Sequence, residues 1–347
     1  MLTAKPISTL SLEPDQEERA FRLHQDSIVF DGSSVVKEEP EHFERAFAGG
    51  VTATNHTVTN PHSNLEQAFV DMARCARWIQ ANSHHGLLAT KVSDIRHAKE
   101  TNREAIVFGP QNSEFIGTDL NNLHVAYSLG MRIMQLTYQR QNWVGCGCGE
   151  NEDAGLSTFG RSLVSEMNEA GVVVDLSHCG DRTSLHAMEL SSTPAIFTHA
   201  HPYALNPHIR HKTDDVIRAL ADQGGVIGIT ALSAFLADPE TPQERLGLPQ
   251  FAKHVAYVAE LVGVDHVGVG LDFDETNTPE KYAADKARHP ELDFAFGWDD
   301  KRIYDLLDAS EELNVTRALV SVGFSDEEIV KILGENFLRV LEAVWGS

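Results

Sequence analysis

Short apolar runs recur along the chain, each closed by a polar residue and followed by a segment whose apolar positions repeat at helical spacing. Ser27 to Phe30, Val51 to Val58, Ala105 to Phe108, Arg132 to Thr137, Val172 to Leu176, Ala195 to Phe197, Val226 to Thr230 and His266 to Leu271 read as strands. Glu38 to Ala48, Asn64 to Asn82, Leu120 to Leu129, Phe159 to Ala170, the segment after His178, Thr213 to Asp222 and Pro249 to Val262 read as helices, several stopped by Gly49-Gly50, Gly130 or Gly171. An excursion, Gly86 to Arg103, alternates and then turns helical. Eight strands alternating with helices over about 250 residues predict an α/β fold, a (β/α)8 barrel of the TIM type, with residues 1–347 as a single domain. Residues 1–26 form an N-terminal arm with a short helix, and the acidic segment 275–300 is expected as a loop over the barrel mouth. Ser325-Asp326-Glu327-Glu328 opens a capped amphipathic terminal helix, which serves packing.

In a parallel barrel the carboxyl ends of the strands open onto one face, so the residues that close the strands face one another. Those residues are Asp31, Gln111, Tyr138, His178, His199 and Asp272, with Asp274 two positions on. The densest stretch is Val172 to Pro202, where His178 and His199 end successive strands and come within reach of one ion or one substrate. The alternative is that each ring caps its strand and bonds to backbone. Asp272 follows a run of small and branched residues, so its carboxylate either bonds to backbone or works as a base. Asp274 more naturally bonds locally and orients the loop. Arg210 precedes a helix start and is placed to hold a carboxylate bidentately, with Asn112 and His201 as further substrate-binding positions. His56 and His201 are additional possible metal donors.

Composition narrows the class. A net charge of −23 without a Lys/Arg cluster argues against nucleic acid and anionic membrane as partners. Neither a secretory signal nor an apolar run of membrane-spanning length is visible, so a cytoplasmic protein is expected. Four cysteines at 75, 146, 148 and 179 suit reduced thiols; Cys146-Gly147-Cys148 lies in a glycine-rich loop that reads as a substrate cover rather than a structural metal site.

LGMRIMQLTY, AGLSTFGRSLVSEMNEAGVVVDLSH, TPAIFTHAHPYAL, DDVIRALADQGGVIGI, VGVGLDFD and ILGENFLRVLEAV together resemble the membrane dipeptidase (renal dipeptidase) family of amidohydrolase-like barrels. The resemblance implies two zinc ions at the barrel mouth, dipeptide cleavage by a metal-bridging hydroxide, D-residues accepted at the carboxyl side, and a plausible homodimer. It maps His178 and His199 onto the ligands of one zinc, Arg210 onto the substrate-carboxylate arginine and Asp272 onto the catalytic aspartate. The departures are as telling. The family's Asp-Gly-His-Asn-Asp is here Asp31-Gly32-Ser33-Ser34-Val35; Gln111 stands for the bridging glutamate and Tyr138 for a substrate-polarising histidine. Valine cannot ligate, serine rarely does, and an amide lacks the bridging charge.

The expectation is a divergent dipeptidase-like hydrolase that cleaves an amide in a small carboxylate-bearing substrate. At most one zinc would sit on His178, His199 and Asp272, with Gln111 and Tyr138 stabilising the oxyanion. A metal-independent acid–base enzyme (lyase, isomerase or dehydratase) is the alternative, and an inactive binding protein the third reading. Loss of the first-strand ligands and the bridging carboxylate predicts poor activity on simple dipeptides.

Overall fold

The predicted alternation is realised in a computed structural model that describes residues 10–240, 246–292 and 296–346. Residues 1–9 of the expected arm and 293–295 of the expected mouth loop lie outside them. The strands are β1 (Phe30–Val35), β2 (Ala53–His56), β3 (Gly86–Leu88), β4 (Glu104–Phe108), β5 (Ile133–Gln135), β6 (Val173–Asp175), β7 (Ile196–Phe197), β8 (Val226–Ile229), β9 (Val267–Val269) and β10 (Phe273–Asp274). They pair in parallel in two runs, β10-β1-β2-β4-β3 and β5-β6-β7-β8-β9. Two links join the runs into a ring. Phe108 bridges to Met131 on the approach to β5, and β10, which follows β9 after three residues, sets Phe273 opposite Ser34 of β1. β3 comes from the excursion and adds to the expected eight by lying along the start of β4.

β1 begins where the sequence reading ended it. Asp31-Gly32-Ser33-Ser34 lie past the expected strand, yet Ser34 pairs with His56 of β2 on one side and Phe273 on the other, so these residues are strand. Gly32 is required there. A Cβ on Gly32, Gly228 or Gly270 would come 2.7, 2.2 or 1.8 Å from the carbonyl oxygen of Thr198, so β1, β8 and the residue after β9 crowd one peptide group beside His199.

The amino-terminal end of the barrel is plugged. Phe337, in the terminal helix Asn336–Trp345, lies against Phe30 with ring centroids 5.2 Å apart and planes tilted by 37°, and packs with Ala53, Val107, Ile133, Val173, Ile196 and Val226. Burying such a ring contributes about 1.5–3 kcal/mol. The capped start at Ser325 is as predicted: its hydroxyl accepts from the Glu328 N–H at 3.3 Å, and Glu328 returns to the Ser325 N–H at 2.8 Å. Within the arm, the helix Pro14–Asp26 packs on the helix Leu313–Ser321, and His24 is buried between Thr316 and the Gly49 carbonyl.

The expected mouth loop is partly a helix, Pro279–Arg288. Thr278 caps it by accepting from the Lys281 N–H, and Pro279 takes the first turn. These start signals outweigh the polar composition that made the segment read as loop. Among the described residues, no helix is long and apolar enough to cross a membrane.

Candidate active site

At the carboxyl ends of the strands lies a cavity of about 410 Å3. Gln111, Tyr138, His178, Asp272, His56 and Asp274 line it, as expected of residues that close parallel strands. The cover helix adds Lys281, Tyr282, Asp285 and Arg288, followed by His289, Lys301 and Arg302. His199, Arg210, Asn112 and His201 do not line it.

One wall is a hydrogen-bonded trio. The Gln111 side-chain N–H donates to the Ser33 hydroxyl at 3.1 Å, and that hydroxyl donates to the Asp272 carboxylate at 3.3 Å. Ser33, the position at which a ligand is replaced, thus joins the amide to the acid. Asp272 has φ 56°, an uncommon conformation that a short polar side chain tolerates. Its N–H donates to the Ser33 carbonyl at 2.7 Å, and Arg302 donates to the carbonyls of Leu271, at 2.9 Å, and of Asp272. Burial pushes the Asp272 carboxyl above the usual range, while Arg302 and Arg210 pull it back. Asp31 sits beneath, accepting from the N–H groups of Leu271 and Ser33. Burial, aided by the Asp272 charge, takes it up to about 7 against those two bonds. Asp274 bonds locally, to Thr276 and Lys281.

The opposite wall carries the imidazoles. His178 Nε2 and His199 Nε2 are 2.8 Å apart, and the Tyr138 ring stacks on His178 with centroids 4.4 Å apart. A residue that sequence reading passed over fixes this pair. Asp175, buried at the end of β6, accepts from the hydroxyls of Ser177 at 2.6 Å and Thr198 at 2.8 Å, and from both their N–H groups. Thr198 spends its one proton on Asp175, so its oxygen accepts from His199 Nδ1–H at 2.8 Å. His199 Nε2 is then an acceptor, and His178 Nε2 must carry the proton between them. His178 Nδ1 is buried without a hydrogen-bond partner, which suits a bare lone pair and not an N–H. The signal for Asp175 was an acid closing an apolar strand two residues before a serine.

Four further expected residues are engaged with protein groups. Arg210 is buried, with one Nη donating to the Ser177 carbonyl and the other to that of His199 at 3.2 Å. Asn112 clamps loops, donating to the Pro61 carbonyl at 2.7 Å and accepting from Asn142 at 2.9 Å. His201 lies in a separate cluster with His254, Nδ1 to Nδ1 2.9 Å, beside His211 and Phe235. His56 lines the cavity but accepts from the Val36 N–H at 3.1 Å, and burial holds it near 3. The Cys146/Cys148 loop is no cover: Cys146 is buried, Gly147 pairs with Cys179, and the Cys148 thiol donates to Gln139 at 3.2 Å.

With this geometry in view, the sequence matches the membrane dipeptidase family (peptidase family M19) over residues 41–309. The chain belongs to that family. An amidohydrolase from Pseudomonas aeruginosa of known structure is 32% identical, with a TM-score of 0.87 over 94% of this chain and 99% of that one. The dipeptidase tcpJ of Claviceps purpurea is 28% identical over 286 residues, 82% of this chain and 61% of that protein. An uncharacterized dipeptidase of Schizosaccharomyces pombe is 30% identical over 68% of this chain and 52% of its own. The chain thus spans roughly half to three-fifths of the length of these curated relatives.

Family members are typically zinc-dependent. The residues here do not fit that centre. Val35, Ser33 and Gln111 offer no charged donor, and Ser33 and Gln111 are bonded to each other. What remains of the family's ligand set is the pair His178 and His199, whose Nε2 atoms converge to 2.8 Å and could supply two neutral donors only. The described residues hold no group of three or more His, Cys, Asp or Glu arranged for a metal.

Proposed function

We propose that this family member hydrolyses an amide bond in a small carboxylate-bearing, dipeptide-like molecule, with Asp272 moving the proton. The observation that carries the reading is the Gln111–Ser33–Asp272 trio at the wall of a closed-ended cavity. A carboxyl raised by burial is a better proton carrier than an ordinary exposed one. As a carboxylate, Asp272 takes a proton from water as the oxygen attacks the carbonyl carbon; as the acid it then protonates the departing amine. Gln111 keeps one N–H on Ser33 and presents its other to the developing oxyanion. The Tyr138 hydroxyl, held neutral by burial and by the nearby Asp272 charge, can donate to the same oxygen. The substrate carboxylate falls to the cover, where Arg288 and Lys301 line the cavity, since Arg210 is outside it.

The test is a turnover screen of N-acyl amino acids and dipeptides, including those with a carboxyl-side D-residue, on the full chain and on Asp272→Asn. A loss of about 10²- to 10⁴-fold in kcat with binding retained is expected for the variant. Full activity in Asp272→Asn removes it from the mechanism. The neutral character of Gln111 and Ser33 also favours a second reading, a metal-independent lyase, isomerase or dehydratase run by the same acid. Turnover of carboxylate metabolites, with every amide left intact, would select it.

A further inference from the structure

Where the family's first-strand motif places a ligand, this chain presents aliphatic surface. Val35, two residues past Ser33 on β1, lines the cavity together with Val36 and with Val58, which follows β2 after one residue. The backbone there is already paired: the Val35 carbonyl accepts from the Glu275 N–H at 3.0 Å, and the Val36 N–H donates to His56 at 3.1 Å. What these three residues offer a ligand is therefore their methyl groups. They offer an ammonium nothing. Of the acids lining the cavity, Glu38 and Asp71 both take the Arg74 guanidinium, at 3.0 and 2.6 Å, and Asp274 takes Lys281 at 3.0 Å. Asp272 moves the proton, and Asp285 lies in the cover helix, whose last turn carries Lys286 and Arg288. An unpaired cation stands elsewhere. Lys301 lines the cavity without a carboxylate partner among the described residues; its ammonium rests 3.2 Å from the Trp298 ring centroid, and its carbonyl accepts from the Ser233 N–H, beyond β8, at 2.9 Å.

We infer that the β1–β2 end of the cavity is an acyl pocket: the substrate of the amide reaction is an N-acyl amino acid whose saturated aliphatic group lies against Val35, Val36 and Val58, where a dipeptide would carry its ammonium. The inference rests on the amide reading and names its substrate class. Topology orders the three contacts. Lys301 is held beside β8, Asp272 lies between β9 and β10, and β10 pairs with β1, so carboxylate, scissile amide and acyl chain follow one another around the mouth. Water adds across the C–N bond, its oxygen to the carbonyl carbon and one proton to the nitrogen, releasing a short-chain acid and a free amino acid. An ammonium set on the valines would exchange its water for methyl groups beside the Arg74 guanidinium, a cost that no contact there returns. An alkyl chain gains by the same burial. The position that lost its ligand thereby becomes a contact for substrate.

The test compares N-acetyl-, N-butanoyl- and 2-aminobutanoyl-alanine, each with D- and with L-alanine, on the full chain; the last two differ only by the amino group. From acetyl to butanoyl kcat/KM should rise about fourfold per methylene. Adding the ammonium should lower it at least about 10²-fold. Val35→Thr, which keeps the shape and adds a hydroxyl, should cut the butanoyl-to-acetyl ratio at least about threefold. Calorimetric binding to Asp272→Asn separates the pocket from the reaction, and the same order of affinity is expected there. That order, with no amide cut by the native chain, would sink the amide reaction while supporting the pocket. Butanoyl turned over no faster than acetyl, the aminobutanoyl compound turned over as fast as butanoyl, or a ratio that Val35→Thr leaves unchanged would overturn the inference and leave amide cleavage standing. Failure of both the native chain and Asp272→Asn to bind any of the compounds overturns it outright.

Discussion

The two walls of the cavity solve the same problem differently. On the wall built by β1, β4 and β10, a carboxylate is joined to neutral donors, and its strands are fastened by ions. Glu275, just past β10, receives Arg45 at 2.8 Å, His42 at 3.0 Å and the Lys37 N–H at 2.9 Å, and His42 reaches on to Glu104 at 2.9 Å. On the wall built by β6 and β7, the fastening is hydrogen bonds converging on Asp175, with Arg210 held by the carbonyls of Ser177 and His199.

The largest effect should come where the two walls meet. Gly270 lies between β9 and Asp272 and its Cβ position falls 1.8 Å from the Thr198 carbonyl of the other wall. Gly270→Ala cannot be accommodated by a rotamer change, so a loss on the order of 4–5 kcal/mol is expected, read as a fall in Tm or in soluble yield. A Tm near that of the native chain would show that the walls move apart freely.

Next comes the ion network of the first wall. Burial would lower the His42 imidazole, but Glu104 and Glu275 outweigh it and raise it to about 10. A histidine raised on folding contributes its stability fully below its unfolded value of about 6.5 and loses it as pH climbs through about 10. Glu275 is the mirror case. Burial opposes ionisation, yet His42 and Arg45 bring it down to about 2, so its contribution is present above about 4.5 and lost as pH falls toward 2. Unfolding free energy should therefore decline between pH 6.5 and 10, and His42→Gln should flatten that slope while costing about 3–5 kcal/mol near neutrality. An unchanged slope in the variant would place the titration elsewhere.

How far the sequence disclosed this arrangement depends on what each residue answers to. The barrel was legible because strand and helix periodicities are local, and the strand-closing positions of Gln111, Tyr138, His178 and Asp272 follow from parallel topology alone. Ser33 was read as the remnant of a ligand, since only the pairing of β1 with β10 shows that its hydroxyl lies against Asp272. Arg210 looked like a carboxylate grip because its type and position suit one. Its burial beneath Ser177 and His199 is a tertiary fact that no spacing carries. The helix Pro279–Arg288 was foreseeable from Thr278-Pro279, a cap and first turn that the acidic composition around them obscured.

The smallest effects sharpen the contrast between the walls. Asp175→Asn preserves shape but turns one acceptor oxygen into a donor, facing hydroxyls and N–H groups that already donate to it; a loss of about 2–3 kcal/mol is expected. Because Thr198 would no longer be obliged to give its proton to residue 175, the His199 Nδ1–H would lose its fixed acceptor, and the ring pair should exchange tautomers on the NMR timescale. Gln111→Ala, on the first wall, removes one bond to a hydroxyl that keeps its other partner, and about 1 kcal/mol should be lost with the imidazole resonances unmoved. If instead Gln111→Ala disturbs the histidines as much as Asp175→Asn does, the two walls are one hydrogen-bonded unit and do not act independently.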